Sequence, residues 1–364
     1  MPAEWEPQAC VWLCTPHNVE TWPGCMEEAV AQFKAFESQL RHYVEVRNLV
    51  DLDVPTDDSW VRDYGPIFMI ENPEGGGMAD QGRPMEGEGR DENREGMSPS
   101  APFLSRISSP TPHAASFARL VCYDFIFDGW GCKYRPHLRD NKATTHIAGL
   151  LDIQRRVHPK VLEGGAIDVD GRGTVLLGEH CARRMAGPAW SSKKHFESWL
   201  NEQLGTGHVL WIPGLPIRGD DTDGHVDNLA RFVSENVIVA VRAPTDHADH
   251  VRLAANWKAL ESARDRNGHR WDLIALPTPR PVYYDFPSDC FGDGGREPLP
   301  ASYANFLITN GAVFVPVFGQ HADDEALRIL ESLFSDRDIV GVRCDDLVVG
   351  QGAAHCLTMN QPAT

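Results

Sequence analysis

The sequence predicts an α/β fold made from one repeated unit, a β-hairpin followed by a helix and a further strand. Two observations predict it: alternating apolar residues mark paired strands, and a helical pattern follows each pair. The predicted turns are Asp170-Gly171-Arg172-Gly173, Ser234-Glu235 and Asn310-Gly311, of which the last is a strong hairpin signal. The unit recurs about every fifty residues, and a period of that size favours a radial or solenoid array over a doubly wound sheet.

Three such units are predicted after residue 165. Their hairpins span residues 166–169 with 174–177, 225–233 with 236–242, and 303–309 with 312–317. Their helices span 192–204, 248–265 and 322–334, and their last strands span 208–212, 271–276 and 338–342. The N-terminal part follows the pattern more loosely, with strands at 10–14, 43–49, 66–70 and 120–127 and helices at 25–41 and 140–151.

Residues 72–116 differ in composition from the rest of the chain. They are rich in Gly, Pro, Ser, Glu and Arg and hold almost no aliphatic residues before Phe103. Such a segment cannot bury enough apolar surface to offset the entropy that ordering removes. We therefore predict a single domain over residues 1–364, with a flexible surface insertion at about 72–116.

Charge and cysteine content exclude several functions. The 364 residues carry a net charge of −18, which argues against nucleic acid and anionic membrane surfaces as partners and is compatible with small cations. Nine scattered cysteines without a Cys-x-x-Cys pair indicate neither a disulfide framework nor a zinc ribbon. The N-terminus lacks a signal-peptide pattern and no apolar run reaches about 18 residues, so we expect a cytoplasmic protein without membrane contact.

Four carboxylates and one histidine occur together in Gly219-Asp220-Asp221-Thr222-Asp223-Gly224-His225-Val226-Asp227. Read as a strand, this run places His225 and Asp227 on one face, with Asp221 and Asp223 beside them. Like charges on one face destabilise a strand unless something cationic binds there. A metal ion, a guanidinium and an amine all meet this requirement, and His225 is then a candidate for proton transfer or metal ligation.

Three further clusters carry candidate functional residues. The first is Asp57-Asp58-Ser59-Trp60-Val61-Arg62-Asp63-Tyr64-Gly65-Pro66, which is dense in charged and aromatic side chains. The second is Glu163-Gly164-Gly165, where two glycines let the backbone approach a ligand closely. The third is Gly350-Gln351-Gly352-Ala353-Ala354-His355-Cys356-Leu357-Thr358, whose small residues leave the backbone and the Cys356 thiol approachable. On a strand, His355 would point away from Cys356.

Together these clusters resemble the agmatine deiminase family, which is grouped with the bacterial-type peptidylarginine deiminases. Six motifs carry the resemblance, in the family's order and over nearly the whole chain except 72–116. They are Pro2-Ala3-Glu4-Trp5-Glu6-Pro7, Trp60-Val61-Arg62-Asp63-Tyr64-Gly65-Pro66, Phe127-Asp128-Gly129-Trp130-Gly131-Cys132-Lys133-Tyr134, Glu163-Gly164-Gly165, Thr222-Asp223-Gly224-His225-Val226-Asp227 with Arg231-Phe232, and His355-Cys356-Leu357-Thr358.

The resemblance implies the pentein fold, a five-bladed α/β propeller around an acidic central site. It also implies a nucleophilic cysteine, Cys356, and an acid/base histidine, His225, supported by Glu163. Two aspartates, Asp63 and Asp227, would hold a guanidinium and fix its carbon before the nucleophile. The implied reaction converts agmatine to N-carbamoylputrescine and ammonia through an S-alkylthiouronium intermediate, without a metal or other cofactor, as in polyamine biosynthesis. Relatives of this type are often homo-oligomers.

The sequence departs from the family around the nucleophile. The family's Gly-Gly-Gly-Asn-Ile-His-Cys is here Gly350-Gln351-Gly352-Ala353-Ala354-His355-Cys356, and its Thr-Gln-Gln-x-Pro is here Thr358-Met359-Asn360-Gln361-Pro362. These changes affect the setting of the thiol or the pocket for the substrate tail. An agmatine ammonium favours acids or aromatics such as Asp221, Trp60 and Trp130, whereas arginine or peptidyl arginine is the alternative substrate.

Two interpretations from other classes stay open at the level of the sequence. A metal-dependent hydrolase would bind a hard cation through Asp221, Asp223, His225 and Asp227, which leaves Cys356 and Glu163 without a role. A non-catalytic binder of cationic small molecules or arginine-bearing segments is compatible with the altered loop at 350–354.

Overall fold

The computed structural model describes residues 1–71, 118–288 and 294–364. Residues 1–70 and 120–364 form one compact unit. The predicted insertion at 72–116 lies outside the described residues, so its flexibility stays a prediction. Within the described ranges, no helix is long and apolar enough to cross a membrane.

The described residues form seventeen strands and eight α-helices. In order, the strands are β1 (Gln8–Leu13), β2 (Val46–Asn48), β3 (Ile67–Glu71), β4 (Arg119–Ile126), β5 (Gln154–Val161), β6 (Ile167–Val169), β7 (Thr174–Gly178), β8 (His208–Ile212), β9 (Ala230–Ser234), β10 (Val237–Arg242), β11 (Asp272–Pro277), β12 (Val282–Phe286), β13 (Gly295–Leu299), β14 (Leu307–Ile308), β15 (Ala312–Val317), β16 (Asp338–Arg343) and β17 (Thr358–Pro362). The α-helices are α1 (Met26–Leu40), α2 (Val61–Tyr64), α3 (Gly129–Cys132), α4 (Ala143–Leu151), α5 (Glu179–Ala186), α6 (Lys193–Leu204), α7 (His250–Ser262) and α8 (His321–Leu333).

Five three-stranded sheets of the described residues share one topology. Their strand orders are β17-β1-β2, β3-β4-β5, β6-β7-β8, β9-β10-β11 and β14-β15-β16. In each sheet the middle strand is parallel to the strand that follows it, and at least one helix connects the two. An antiparallel partner lies on the other side of β1, β7, β10 and β15. This is the predicted hairpin–helix–strand unit, and the C-terminal β17 supplies the hairpin partner of β1.

The unit around β7 shows how local sequence sets the element boundaries. The Ser192 hydroxyl accepts a hydrogen bond from the His195 N–H at 3.2 Å and begins α6. Gly205, in the left-handed conformation, ends the same helix. The predicted helix at 192–204 and the predicted strand at 208–212 are confirmed to within one residue.

Two predicted strands begin later than expected. Residues 225–229 precede β9, and the chain there forms a 3-10 turn at Val226–Asn228. Residues 303–306 precede β14, which has only two residues. Both segments carry buried polar side chains, Asp227 and Asn305, whose hydrogen bonds need a backbone that departs from the alternation of a strand.

The sequence pattern does not predict α5, β5 or the antiparallel pair formed by β12 and β13. Of these, β5 lies at the edge of its sheet, is largely exposed and contains Pro159. Because it lacks alternating apolar residues, it carries little of the signal by which strands are recognised.

Aromatic packing joins α1 to the central strand of another sheet. The Phe36 side chain is 1% exposed, and its ring meets that of Phe314 in β15 edge-on, with the ring centroids 5.6 Å apart. Buried aromatic pairs of this kind contribute strongly to the stability of a core.

We expect Phe36→Ala to lower the free energy of unfolding by about 3–5 kcal/mol, because it removes a buried ring and leaves a cavity. Denaturant unfolding measures this change. The control is Val251→Ala in α7, where the side chain is 77% exposed and the expected change is within about 0.5 kcal/mol. Equal stabilities of the two variants would contradict the expectation.

Candidate active site

Cys356 lies at the end of the glycine-rich loop, shortly before β17. Its side chain is buried, and its Sγ lies 3.0 Å from Asn305 Nδ2 and 3.5 Å from Asp227 Oδ2. A Cβ added to Gly352 would lie 2.4 Å from Trp60 Cζ3 and 2.9 Å from Cys356 Cβ. Since no other residue fits in that space, Gly352 allows the Trp60 ring to pack against the loop beside the thiol.

Three polar atoms converge on Gly165. A Cβ at this position would lie 2.7 Å from His225 Nδ1, 2.8 Å from Asp63 Oδ1 and 3.0 Å from Asp227 Oδ2, so glycine keeps the point free of side-chain atoms. Among the described residues, His225 Nδ1 and Asp227 Oδ1 are buried without a hydrogen-bond partner. Buried polar atoms normally have partners, so these atoms indicate a position for a ligand.

The backbone at His225 and Asp227 differs from the predicted strand. Gly224 has a φ of +86°, and His225 then begins the 3-10 turn at Val226–Asn228. A Cβ on Gly224 would lie 1.8 Å from a backbone oxygen, so only glycine is accommodated. The two functional side chains nevertheless reach the same point, beside Gly165.

The other acids of this run point elsewhere. Asp221 accepts a hydrogen bond from the Tyr134 hydroxyl, and Asp223 Oδ2 lies 2.6 Å from Lys133 Nζ. The predicted alignment of both acids with His225 on one strand face is therefore wrong, because the chain turns through left-handed residues between them.

Asp63 lies in α2 and is held by two donors. Trp130 Nε1 donates to Asp63 Oδ2 at 2.9 Å, and the Gly165 N–H donates to Asp63 Oδ1 at 2.9 Å. Burial raises the pKa of Asp63, and the nearby Glu163 carboxylate adds to the rise. A cation beside Gly165 would favour the ionised carboxylate.

Glu163 connects His225 to Arg184, whose side chain is partly exposed. Glu163 Oε2 lies 2.7 Å from His225 Nε2, and Arg184 Nη1 donates to Glu163 Oε1 at 2.6 Å. Burial by itself raises the pKa of Glu163, but Arg184 and His225 outweigh it and lower that pKa to about 2. Burial likewise lowers the pKa of His225, yet Asp63, Cys181 and Glu163 raise it well above its usual value. His225 is thus protonated, as a general acid requires.

His355 bonds to Asp227 rather than to the thiol beside it. Its Nδ1 lies 2.8 Å from Asp227 Oδ2, and its Nε2 lies 2.9 Å from Glu4 Oε2. Both contacts are hydrogen bonds when the ring carries a proton on each nitrogen. Burial raises the pKa of Asp227, but the hydrogen bond from His355 and the charges of His355, His225 and Arg231 together outweigh burial and lower it. Asp227 is therefore an ionised carboxylate.

Glu4, in the N-terminal segment, extends this buried network. Its Oε2 lies 3.1 Å from Arg231 Nη2 and 3.5 Å from Arg62 Nη2. Arg231 Nε also lies 3.3 Å from Asp168 Oδ1. Buried charges are tolerated when they are paired in this way.

The Cys356 thiol is protonated in these surroundings. Burial raises the pKa of Cys356 well above its usual value, and the carboxylates of Asp227 and Asp63 add to the rise. A cation between those two carboxylates would offset their charge and lower the pKa of the thiol. The arrangement therefore couples formation of a thiolate to binding of a cation.

The model of one protein family, the Porphyromonas-type peptidyl-arginine deiminases, matches residues 1–362. The chain belongs to this family. An agmatine deiminase of Stutzerimonas stutzeri is 30% identical over 397 residues, which cover 100% of this chain and 95% of the relative. An agmatine deiminase of Medicago truncatula is 29% identical over 402 residues, with 100% and 96% covered.

The fold is also that of solved members. A structure of the Enterococcus faecalis agmatine deiminase superposes with a TM-score of 0.78 at 24% identity and covers 100% of this chain and 95% of its own. The α/β fold thus matches structures of the pentein superfamily, as the resemblance predicts.

In this member of the peptidyl-arginine deiminase family, a cavity of about 540 Å³ adjoins Trp130. Four acids line it, Glu20, Asp58, Asp140 and Asp221, together with the basic side chains of Lys133 and Arg135. Burial raises the pKa of Asp58 and of Asp221 to about 6 and that of Asp140 to about 7. Trp130 contacts Asp63, so the cavity lies next to the site. Of the predicted substrate-binding residues, Asp221 and Trp130 line this cavity, whereas Trp60 and Gly352 pack beside Cys356.

The predicted set of metal ligands is not brought together, since Asp221 and Asp223 point away from Asp227. Another group of possible ligand atoms is found among the described residues, with Glu163, Cys181 and His225 within 4.8 Å of one another. Arg184 already contacts both oxygens of Glu163.

Two residues beside the site were not recognised in the sequence. Arg184 belongs to none of the six motifs, and it lies in α5, a helix that the pattern of apolar residues does not predict. Asn305 does carry a weak signal, because it is a polar residue within the apolar run Ala304-Asn305-Phe306-Leu307-Ile308. A polar side chain in a buried strand needs a partner, and here the partner is Cys356.

The stability contributed by Glu163 should depend on pH. Its pKa is about 2 in the folded chain against an ordinary value of 4.5, so its contribution is complete above about pH 5 and is lost as the pH falls toward 2. We expect Glu163→Gln to be less stable than the parent at neutral pH, with a difference that shrinks below pH 4.5. Urea unfolding over this range measures the effect, with Glu235→Gln on the surface as control. A difference that does not change with pH would count against the pairing.

Proposed function

We propose that this protein is an agmatine deiminase, which hydrolyses agmatine to N-carbamoylputrescine and ammonia. The observation that carries the proposal is the convergence of Asp63, His225 and Asp227 on Gly165, with the Cys356 thiol 3.5 Å from Asp227. Relatives that match the whole chain are named agmatine deiminase, which supports the same activity.

The two aspartates would bind the guanidinium. This group is planar and donates hydrogen bonds along its edges, so two carboxylates can hold it in a fixed orientation. Asp227 Oδ1 has no partner among the described residues and is free to accept one of these bonds. Because Asp227 also lies next to the Cys356 sulfur, a guanidinium held there presents its carbon to the nucleophile.

In the first half-reaction, Cys356 would act as a thiolate. The bound cation lowers the pKa of the thiol, and the proton leaves to solvent. The sulfur attacks the guanidinium carbon and forms a C–S bond. Protonated His225 then gives its proton to one NH₂ group, the C–N bond breaks and ammonia departs. A positively charged S-alkylthiouronium group remains on Cys356, and His225 is neutral.

In the second half-reaction, His225 would act as a base. It takes a proton from a water molecule as the oxygen attacks the thiouronium carbon. The C–S bond then breaks as the new hydroxyl group passes its proton to the sulfur, which releases the ureido product and regenerates the Cys356 thiol. The ammonia released earlier takes up the proton that the thiol gave to solvent. Glu163 stabilises the imidazolium that forms, through its 2.7 Å contact with His225. The sum is water and agmatine converted to the urea and ammonium.

The acidic cavity would bind the far end of the substrate. Asp58, Asp140 and Asp221 favour the ammonium of agmatine, and the Trp130 ring offers a cation–π contact. Free arginine would place its carboxylate in a cavity where four acids outnumber Lys133 and Arg135, so the preference for agmatine rests on that excess of acids. The backbone of peptidyl arginine carries no charge where agmatine has its ammonium. The cavity would therefore disfavour peptidyl arginine less strongly than free arginine.

We further propose that the five three-stranded sheets are blades of a propeller around the site. Their common topology supports it, as does the pairing of β17 with β1. Residues from separate parts of the chain reach one point, as expected at the centre of such an arrangement. Homo-oligomerisation and a cytoplasmic location stay predictions.

Cys356→Ala should abolish the release of ammonia from agmatine, because no other thiol of the described residues contacts Asp227. A coupled ammonia assay and mass spectrometry of the ureido product measure the activity. Cys122→Ala is the matched control, since it removes another buried thiol, in β4, and should leave the covalent chemistry in place. Mass spectrometry should also detect a thiouronium adduct on Cys356 in the parent.

Three outcomes would favour the other classes. Full turnover by Cys356→Ala would falsify the thiol mechanism. Loss of activity after dialysis against a chelator, with resistance to iodoacetamide, would favour a metal hydrolase. Tight binding of agmatine with no ammonia released over a broad pH range would favour a non-catalytic binder.

Asp221→Asn should reduce the selectivity for agmatine. Loss of one charged contact in the cavity is expected to lower kcat/KM for agmatine about 10- to 100-fold, since hydrogen bonds to charged groups contribute about 1.5–3 kcal/mol. The rate with butylguanidine, which has no ammonium, should change much less. Asp246→Asn, at an exposed position, is the control. Equal losses for both substrates would show that Asp221 does not bind the tail.

A further inference from the structure

Glu4 belongs to the N-terminal motif at residues 2–7, which has no part in the proposed mechanism, yet its carboxylate lies directly behind the site. The Glu4 side chain is 9% exposed. Its Oε1 accepts a hydrogen bond from the Ile308 N–H at 2.7 Å, and its Oε2 lies 2.9 Å from His355 Nε2. The N-terminal segment is thereby fixed against β14, with its carboxylate directed at the histidine that precedes the nucleophile.

The His355 ring lies between two carboxylates, because its Nδ1 lies 2.8 Å from Asp227 Oδ2. Burial raises the pKa of Glu4, but the charges of two arginines and of His355 outweigh burial and lower it well below its usual value. Ionised carboxylates only accept hydrogen bonds, and a neutral imidazole has one N–H, so a neutral ring would satisfy one acid and not the other. Both contacts therefore require a His355 imidazolium.

The other charged groups around the ring contact Glu4 or the backbone. Arg62 Nε donates to the His355 carbonyl at 3.3 Å. Arg231 lies between Glu4 Oε2, at 3.1 Å, and Asp168 Oδ1, at 3.3 Å. Among the described residues, Glu4 is thus the acid that faces Nε2 of the ring, and its charge acts directly on the proton at that nitrogen.

The proton on His355 Nδ1 controls the carboxylate of Asp227. It holds Oδ2 and leaves Oδ1, which has no partner among the described residues, for the guanidinium. A hydrogen bond between two charged groups is strong and fixes the orientation of the carboxylate. A neutral ring would have an alternative form in which the lone pair of Nδ1 faces Asp227 and repels its oxygen.

We propose that Glu4 is a positioning residue that acts on Asp227 through the His355 imidazolium. The proposal rests on the proposed function, because it assumes that Asp227 binds the guanidinium. Glu4 keeps both nitrogens of His355 protonated, and His355 in turn keeps Asp227 ionised and directed at the point beside Gly165. The N-terminal segment thus supplies the outermost member of a chain of hydrogen bonds that ends at the substrate.

The protonation of His355 is measured by nitrogen NMR of protein labelled with ¹⁵N at its histidines. A ring nitrogen with a proton and one without differ in chemical shift, and loss of signals in His355→Asn identifies this ring. We expect two protonated nitrogens at pH 7 in the parent and one in Glu4→Gln, which removes the charge but keeps the shape. Glu6→Gln is the matched control, because Glu6 belongs to the same segment but pairs with Arg172, at 3.2 Å, and its spectrum should match that of the parent.

The kinetic test compares Glu4→Gln in two backgrounds. With His355 present, kcat/KM for agmatine should fall about 10- to 100-fold, since small displacements of a positioning group have effects of this size. Butylguanidine should show the same factor, because Asp227 binds the guanidinium end that both substrates share. In His355→Asn, whose amide can take the place of Nδ1 without a contact to Glu4, the further loss should be less than about twofold. Glu6→Gln should keep the parental kcat/KM.

Denaturant unfolding shows whether each variant folds. If Glu4→Gln does not fold, the parent spectrum decides, since two protons on His355 support the proposal and one proton overturns it. An unchanged His355 spectrum in folded Glu4→Gln would also overturn it, as would equal losses of kcat/KM in the two backgrounds, because Glu4 would then act only through its arginine partners. A parent that releases no ammonia, but whose His355 loses a proton in Glu4→Gln, would overturn the proposed function and retain the link from Glu4 to Asp227.

Discussion

The site depends on a balance of buried charges. Five carboxylates and three guanidinium groups lie in or behind it with little access to solvent: Glu4, Asp63, Glu163, Asp168, Asp227, Arg62, Arg184 and Arg231. Removing one partner of a buried pair typically costs about 3–5 kcal/mol. The partners come from the N-terminal segment, α2, α5 and the β9 strand, so the charges are balanced only when these parts of the chain have assembled. Two of the carboxylates, Asp63 and Asp227, face the point beside Gly165, and in the proposed function they would bind the guanidinium there.

Much of the fold follows from local patterns in the sequence. The helix at 192–204 has a Ser cap and a Gly stop, and the strand at 208–212 has an uninterrupted apolar run, so both are recognised correctly. The failures have a common cause, which is that long-range contacts override local pattern. β5 is an exposed edge strand with a proline, and the 3-10 turn at Val226–Asn228 exists because its polar side chains are directed to distant partners.

The candidate site, like the fold, is predicted only in part by the sequence. The motifs identify the residues that converge on Gly165, because glycine, histidine and acids at these spacings have few other uses. The motifs do not identify the side chains that pack against those residues and form hydrogen bonds with them. The pairing of Glu163 with Arg184 and the contact of Asn305 with Cys356 join segments 21 and 51 residues apart, and single-sequence patterns do not encode such distances. The predicted set of metal ligands is not assembled for a related reason, since that prediction assumed a straight strand where the chain turns.

The raised pKa of Cys356 affects how readily its sulfur is oxidised. Peroxide and other oxidants attack the thiolate form of cysteine, which is scarce when the surrounding carboxylates are not offset by a cation. If the proposed mechanism holds, Cys356 would resist oxidation in the protein without substrate, because its pKa is raised. A bound guanidinium would lower the pKa of the thiol, so Cys356 would be oxidised mainly during turnover. In a cell with little substrate, most molecules of the enzyme would then keep an unoxidised Cys356.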